Sequence, residues 1–164
     1  MAEGRFKAYA AAAAVFGLDR LTKAIIEQRV SESAIHRVIP GFFDIVHSEN
    51  RGVAFGIFND SATEWRSLAL IVVAVAAVIF VTAFLWHARH IDAATLWGLA
   101  LILGGAAGNA FDRIVSGRVT DFLEFYIGEY HWPTFNVADS AIVIGCGLLL
   151  VDLLRSKRQA ANVP

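Results

Sequence analysis

The chain carries a single cysteine, Cys146, in 164 residues, which excludes an internal disulfide and any zinc or iron–sulfur site built on several thiolates. Charge is also scarce. Only 18% of the residues are charged and they sum to −1, so no basic field marks a nucleic-acid partner. Of the five histidines none is spaced as His-Glu-x-x-His or a similar zinc motif, so metal catalysis is not expected. Ser140 has no lysine or histidine at a spacing that would activate a serine nucleophile, and Cys146 reads as a packing residue. Internal repeats, low-complexity tracts and linkers are missing too, so residues 1–164 read as one domain.

What the sequence has in excess is apolar surface. With 57% hydrophobic residues and a mean hydropathy of +0.56, lipid must be part of its solvent. A spanning helix needs about 20 mostly apolar residues to cross a hydrocarbon core of roughly 30 Å. Windows at 67–87, 95–113 and 137–155 meet that need, their charges lying at the ends. The window at 8–26 is interrupted by Asp19, Arg20 and Lys23, and Arg5 and Lys7 ahead of an alanine-rich run give it the look of a signal peptide. Against that, Asp19 and Lys23 stand i, i+4 with the acid first, which lets a helix run through them as an ion pair.

The expected fold is therefore an all-α membrane protein of four transmembrane helices, with a small extracytoplasmic β-sheet between helices 1 and 2. Phe42 to Val46 is aromatic and β-branched enough for a strand, Asn50-Arg51-Gly52 offers a turn, and Val53 to Phe58 offers a second extended stretch. Ser61 and Glu64 read as a capping box opening the second helix, with Trp65 at interface depth. Arg5, Lys7, Arg89, Arg155, Lys157 and Arg158 flank the spans on one side, taken as cytoplasmic, which leaves both termini inside and the two long connections outside.

On that topology the unusual polar residues converge at the outer face. Asp19 lies roughly 16 Å along its helix from Ala8, at 1.5 Å per residue. Asn109, Asp112 and Arg113 close the third helix, Asp121 follows in the connection, and Asn136 and Asp139 open the fourth. A charge near hydrocarbon costs at least about 2.5 kcal/mol, so each needs a partner or a purpose. For Asp19 the favoured role is an ion pair with Lys23. Asp112, an acid in a last turn, needs a cation such as Arg113 or Lys23 and reads as supporting. Asp139 has two open roles, a capping acid three residues after Asn136 or a catalytic group. Asp121, between Val119 and Phe122, has no structural partner in the sequence. Gly104 with Gly108 and Ala141 with Gly145 are small-residue pairs expected to bring helices 3 and 4 together.

The motifs DRLTK at Asp19–Lys23, NRGVAF at Asn50–Phe55, GGAAGNAFDR at Gly104–Arg113, VTDF at Val119–Phe122 and FNVADS at Phe135–Ser140 occur in the order found in lipoprotein signal peptidase (signal peptidase II). The chain resembles that family over nearly its whole length. One departure is Arg20, where the family more often has glutamine; it bears on hydrogen bonding of the first helix. The resemblance implies an aspartic endopeptidase of the bacterial plasma (inner) membrane that removes signal peptides from prolipoproteins, cutting before a diacylglyceryl-modified cysteine. It implies Asp121 and Asp139 as the catalytic pair, with Asn50, Gly52, Asn109, Arg113 and Asn136 lining or bracing the site and Asp19, Lys23 and Asp112 as the remaining polar positions. It further implies membrane lipid and globomycin-type inhibitors as binding partners and no cofactor, and a monomer is expected. From another class, the acids could serve a small proton-coupled carrier or channel subunit, but that requires them along a path through the bilayer, and the inner half holds only Asp152, within reach of Arg155.

Overall fold

In lipid, an isolated segment satisfies its own backbone N–H and C=O groups by forming an α-helix, and the alanine-, leucine- and valine-rich runs of this chain contain no proline to prevent it. The computed structural model describes residues 2–51, 63–88 and 91–161. In chain order these form α1 (Ala2–Arg29), β1 (Ile35–Ile39), β2 (Phe43–Asn50), α2 (Thr63–His87), α3 (Ala93–Ser116), β3 (Val119–Ile127), β4 (Tyr130–His131) and α4 (Val137–Ala161). Among the described residues three helical stretches are long and apolar enough to cross a membrane, Leu68–His87, Ala93–Ser116 and Val137–Ser156. The helix α1 is longer, at 28 residues, but carries Asp19, Arg20 and Lys23 in its second half.

The central element is α3, packed against α1, α2 and α4. Its glycines divide between two neighbours. A Cβ at Gly104 would lie 2.7 Å from Val15 Cβ of α1, whereas one at Gly98 would lie 2.8 Å from the Gly145 carbonyl of α4, and one at Gly145 would lie 2.6 Å from the Gly98 carbonyl. The pairing of Gly104 and Gly108 with α4 expected from spacing is thus corrected: Gly104 admits α1, Gly108 leaves room for the Asp19 carboxylate, and Gly98 and Gly105 take the α4 contact. The reason is angular. Residues 98 and 105 are seven apart, two turns along one face, and residue 104 points about 100° away from residue 105.

Ala8, Ala12, Val81, Leu85, Leu99, Ala100 and Leu103 form the buried core at one end of the helices. At that end Arg5 donates to the Ala88 carbonyl and Tyr9 Oη donates to the Thr82 carbonyl at 2.9 Å, so cationic and polar groups of α1 meet the C-terminal carbonyls of α2. A second cluster, Ile26, Val30 and Phe122, joins the end of α1 to the sheet. Apolar side chains on the outer face of α2 remain uncovered, Val73, Ile79 and Phe80 among them. Exposure of that kind on a helix is what lipid contact requires.

The sheet is antiparallel with order β1-β2-β3-β4. It therefore differs from the expected sheet between helices 1 and 2, because half of it comes from the connection between α3 and α4. Gly117, in left-handed conformation (φ 71°), ends α3 with its N–H on the Arg113 carbonyl and releases the chain directly into β3. The strand expected at Phe42–Val46 is present as β2 and runs further, to Asn50, while β1 was not anticipated. Gly52, the stretch Val53 to Phe58 and the Ser61 half of the capping box lie outside the described residues.

Candidate active site

Asp121 stands on β3 and is 2% exposed. The chain returns beside it, because Phe122 and Leu123 N–H both donate to the Phe135 carbonyl (3.0 and 2.9 Å) and Phe135 N–H donates to the Leu123 carbonyl (3.1 Å). That bridge, supported by stacking of Phe125 on Phe135, sets the next residue, Asn136, against the carboxyl. Asn136 Nδ2 donates to Asp121 Oδ1 at 2.7 Å, and Asn50 Nδ2, from the end of β2, donates to Oδ2 at 3.1 Å. Burial pushes the Asp121 carboxyl up to about 6, the hydrogen bond from Asn50 opposes this, the neighbouring Asp139 charge adds to it, and Asn136 and Lys23 oppose it again.

Asp139 meets the same asparagine through the backbone. Asn136 Oδ1 accepts from Asp139 N–H at 3.0 Å and Asp139 Oδ2 accepts from Asn136 N–H at 3.3 Å, a reciprocal cap at the start of α4. Its other oxygen, Oδ1, accepts from Asn109 Nδ2 of α3 at 2.7 Å. Of the two roles left open by the sequence the cap is present, and it leaves the carboxylate half-buried beside Asp121. Asn136 is fully buried and touches both acids, which brings residues from β3 and α4 to a single point.

Below this pair lies a buried lysine held between acids. Lys23 Nζ, with no exposed surface, contacts Asp19 Oδ2 at 2.7 Å, Asp112 Oδ2 at 2.6 Å and Asn109 Oδ1 at 3.0 Å. The i, i+4 pair foreseen for Asp19 and Lys23 is present, and it does more than hold α1 together. Asp19 Oδ1 accepts from Ala138 N–H at 2.9 Å, so an acid of α1 satisfies a free donor in the first turn of α4. Asn109 relays between the two groups, its Oδ1 on Lys23 and its Nδ2 on Asp139. Arg113 Nη1 donates to the Asn109 carbonyl at 3.2 Å, and Asp139, Asp121 and Asp112 all act on its charge. Its Nε is buried without a hydrogen-bond partner among the described residues.

Of the expected site residues, Asp19, Lys23, Asn50, Asn109, Asp112, Arg113, Asn136, Asp121 and Asp139 thus fall in one connected cluster, and Gly52 lies outside the described residues. Two contributors were not foreseen. Arg20 pairs with Asp112 across to α3 and stacks 5.1 Å over the Phe111 ring, so its reach extends beyond the first helix. Glu27 accepts from Thr120 Oγ1 at 2.7 Å, tying α1 to the residue before Asp121. A signal for Arg20 existed in its one-residue offset from Asp19, which points it to an adjacent helix face; for Glu27 there was none. The expected Asp152–Arg155 pair is replaced by Thr95 Oγ1 donating to Asp152 Oδ2 at 2.6 Å, because α3 lies alongside α4 there. Among the described residues no group of histidine, cysteine, aspartate and glutamate is arranged to hold a metal ion.

Such a cluster can do acid–base chemistry with two carboxyl groups and no bound group. A family model described as signal peptidase (SPase) II matches residues 11–155. A lipoprotein signal peptidase of Solibacter usitatus is 65% identical over 163 residues, covering 99% of each chain, and one of Maridesulfovibrio salexigens is 40% identical over 140 residues, covering 85% of this chain and 90% of its own. Among solved structures, one described as a bacterial membrane enzyme, determined by the in meso method, superposes with a TM-score of 0.82 at 27% identity, covering 96% of this chain and 93% of the other. Another of the same description gives 0.78 at 29% identity, with 90% and 92% covered.

Proposed function

Because this chain belongs to the signal peptidase II family, we propose that it removes signal peptides from prolipoproteins as an aspartic endopeptidase, with Asp121 and Asp139 as the catalytic pair. The observation that carries this reading is Asn136, whose side chain binds one carboxyl and whose backbone binds the other. Two carboxyl groups so close do not ionise independently, and they share a proton. Asp121, pushed up to about 6 by burial, holds it, while Asp139 is the base that takes a proton from water. The water oxygen bonds to the carbonyl carbon as Asp121 protonates the carbonyl oxygen; the C–N bond then breaks and the amine leaves with a proton from the pair. Neither metal nor cofactor enters these steps. Arg113, beside both acids, stabilises the negative charge.

The substrate is a prolipoprotein cut before a diacylglyceryl-modified cysteine, its signal helix and acyl chains remaining in the bilayer so that anchoring offsets much of the orientation cost. The four helices α1 to α4 all span the inner membrane, both termini are cytoplasmic, and the sheet and the pair lie at the outer face. The protein works as a monomer, and globomycin-type inhibitors occupy the same cleft. Support for α1 as a span is that its charges are neutralised inside the fold, Asp19 and Lys23 being fully buried. An ion-relay reading lacks such support, since the buried acids among the described residues gather at one end of the helices.

Two experiments test this. Purified protein in detergent should release the signal peptide from a diacylglyceryl precursor, and Asp121→Asn and Asp139→Asn should each lower turnover at least about a thousandfold while remaining folded; substantial cleavage by both variants would refute the pair. For topology, an impermeant thiol reagent should label His36→Cys in a Cys146→Ser background from outside intact spheroplasts. Labelling only after permeabilisation would invert the orientation.

A further inference from the structure

Asp19, Lys23 and Asp112 together carry one positive and two negative charges, and all are buried, with 0%, 0% and 4% exposure. An uncompensated charge in that setting is costly. Arg20 supplies the missing cation by pairing with Asp112, and its position is fixed by the Phe111 ring beneath it. This quartet does not end at α1 and α3. Lys23 donates to Asn109, Asn109 donates to Asp139, and Asp19 accepts from Ala138 N–H in the same first turn of α4. The charge of the quartet is therefore coupled to the acids above it both through bonds and through a low-dielectric interior.

Resting on the assignment of Asp121 and Asp139 as the catalytic pair, we propose that Arg20 is a positioning residue for the reaction: its guanidinium brings the buried quartet to zero net charge and thereby sets how tightly the pair holds its shared proton and how Asn109 presents Asp139. The groups facing Arg20 do not duplicate its charge. It opens onto a cavity of about 390 Å³ whose other walls include Glu27 and Glu32 from and just beyond the end of α1, His47 and Glu49 from β2, and Arg118 before β3. Arg118 is bound to Glu49 at 2.7 Å and so does not supply a cation to Asp112, and Glu27, an acid that accepts from Thr120, has none to offer. The remaining cation near the acids, Arg113, is bound to the Asn109 carbonyl.

Replacing Arg20 by a neutral residue leaves one net negative charge below the pair, so the shared proton is held more tightly. In an interior of effective dielectric about 20, a unit charge in the same buried network moves the titration by on the order of one pH unit. The test is the pH profile of kcat/KM for prolipoprotein cleavage. The alkaline limb, set by loss of the shared proton, should move up by about one pH unit in Arg20→Gln, stay in place in Arg20→Lys, and return in Arg20→Gln with Asp112→Asn, where the buried charges again sum to zero. An unmoved limb in Arg20→Gln, or an equal shift in the double variant, overturns the proposal. If Arg20→Gln alone does not fold, folding of the double variant supports charge compensation and its failure to fold overturns it. Cleavage retained by both Asp121→Asn and Asp139→Asn would instead defeat the catalytic pair itself, whereas loss of cleavage there with an unmoved Arg20→Gln limb would defeat only the role of Arg20.

Discussion

Asp121→Asn separates the energetic consequence of burying the carboxyl from its chemistry. Burial, which leaves Asp121 2% exposed, pushes its carboxyl from the ordinary 3.8 up to about 6. A carboxyl raised in this way contributes stability that is complete below about pH 4 and is lost as pH rises through about 6, because the folded protein must then hold a buried carboxylate that the unfolded chain exposes to water. At 1.36 kcal/mol per pH unit, the loss comes to about 3 kcal/mol. The asparagine variant has no such loss. It carries a constant offset instead, since an amide at 121 meets a donor from either Asn50 or Asn136, worth about 1–3 kcal/mol and independent of pH. The quantity to measure is therefore the difference in Tm between variant and wild type in detergent, at pH 4 and at pH 8. It should change in favour of the variant by on the order of 6–12 °C. A difference that stays constant across that range would mean that Asp121 does not ionise within the buried cluster, and the shared-proton chemistry would lose its physical basis.

Removing Lys23 should be more damaging than removing a surface charge. Lys23→Met leaves Asp19 and Asp112 facing one another without their common cation, and about 3–5 kcal/mol of destabilisation is expected, read as a large fall in Tm; a Tm close to that of wild type would refute this account of the buried cluster. At the α3–α4 contact, Gly145→Val places a branched side chain where even a Cβ would lie 2.6 Å from the Gly98 carbonyl and 2.8 Å from Ile102 Cγ1. A loss of about 1–3 kcal/mol or more is expected, seen as lower Tm. Gly147→Val, at a position with open space around it, is the control and should change Tm little.

Much of this molecule is legible in its sequence. The apolar windows at 67–87, 95–113 and 137–155 became α2, α3 and α4 because the length of an apolar run is a local property that lipid reads directly. The Asn136–Asp139 cap and the Asp19–Lys23 pair were likewise visible, since both are set by helical spacing three or four residues along the chain. What spacing did not reveal was everything that depends on which faces meet. The pairing of residue 135 with β3 brings Asn136 to Asp121, and the rotation of α3 decides that Gly104 admits α1 while Gly105 admits α4. Arg20 finds its partner 92 positions away, and Asp19 caps a helix 119 positions away. Sequence alone fixed which residues were too polar for their surroundings, because the cost of a charge in an apolar segment is independent of its partners. Only the tertiary structure decided how that cost is offset, because the compensating groups come from separate helices and strands whose relative rotation and register no local pattern encodes.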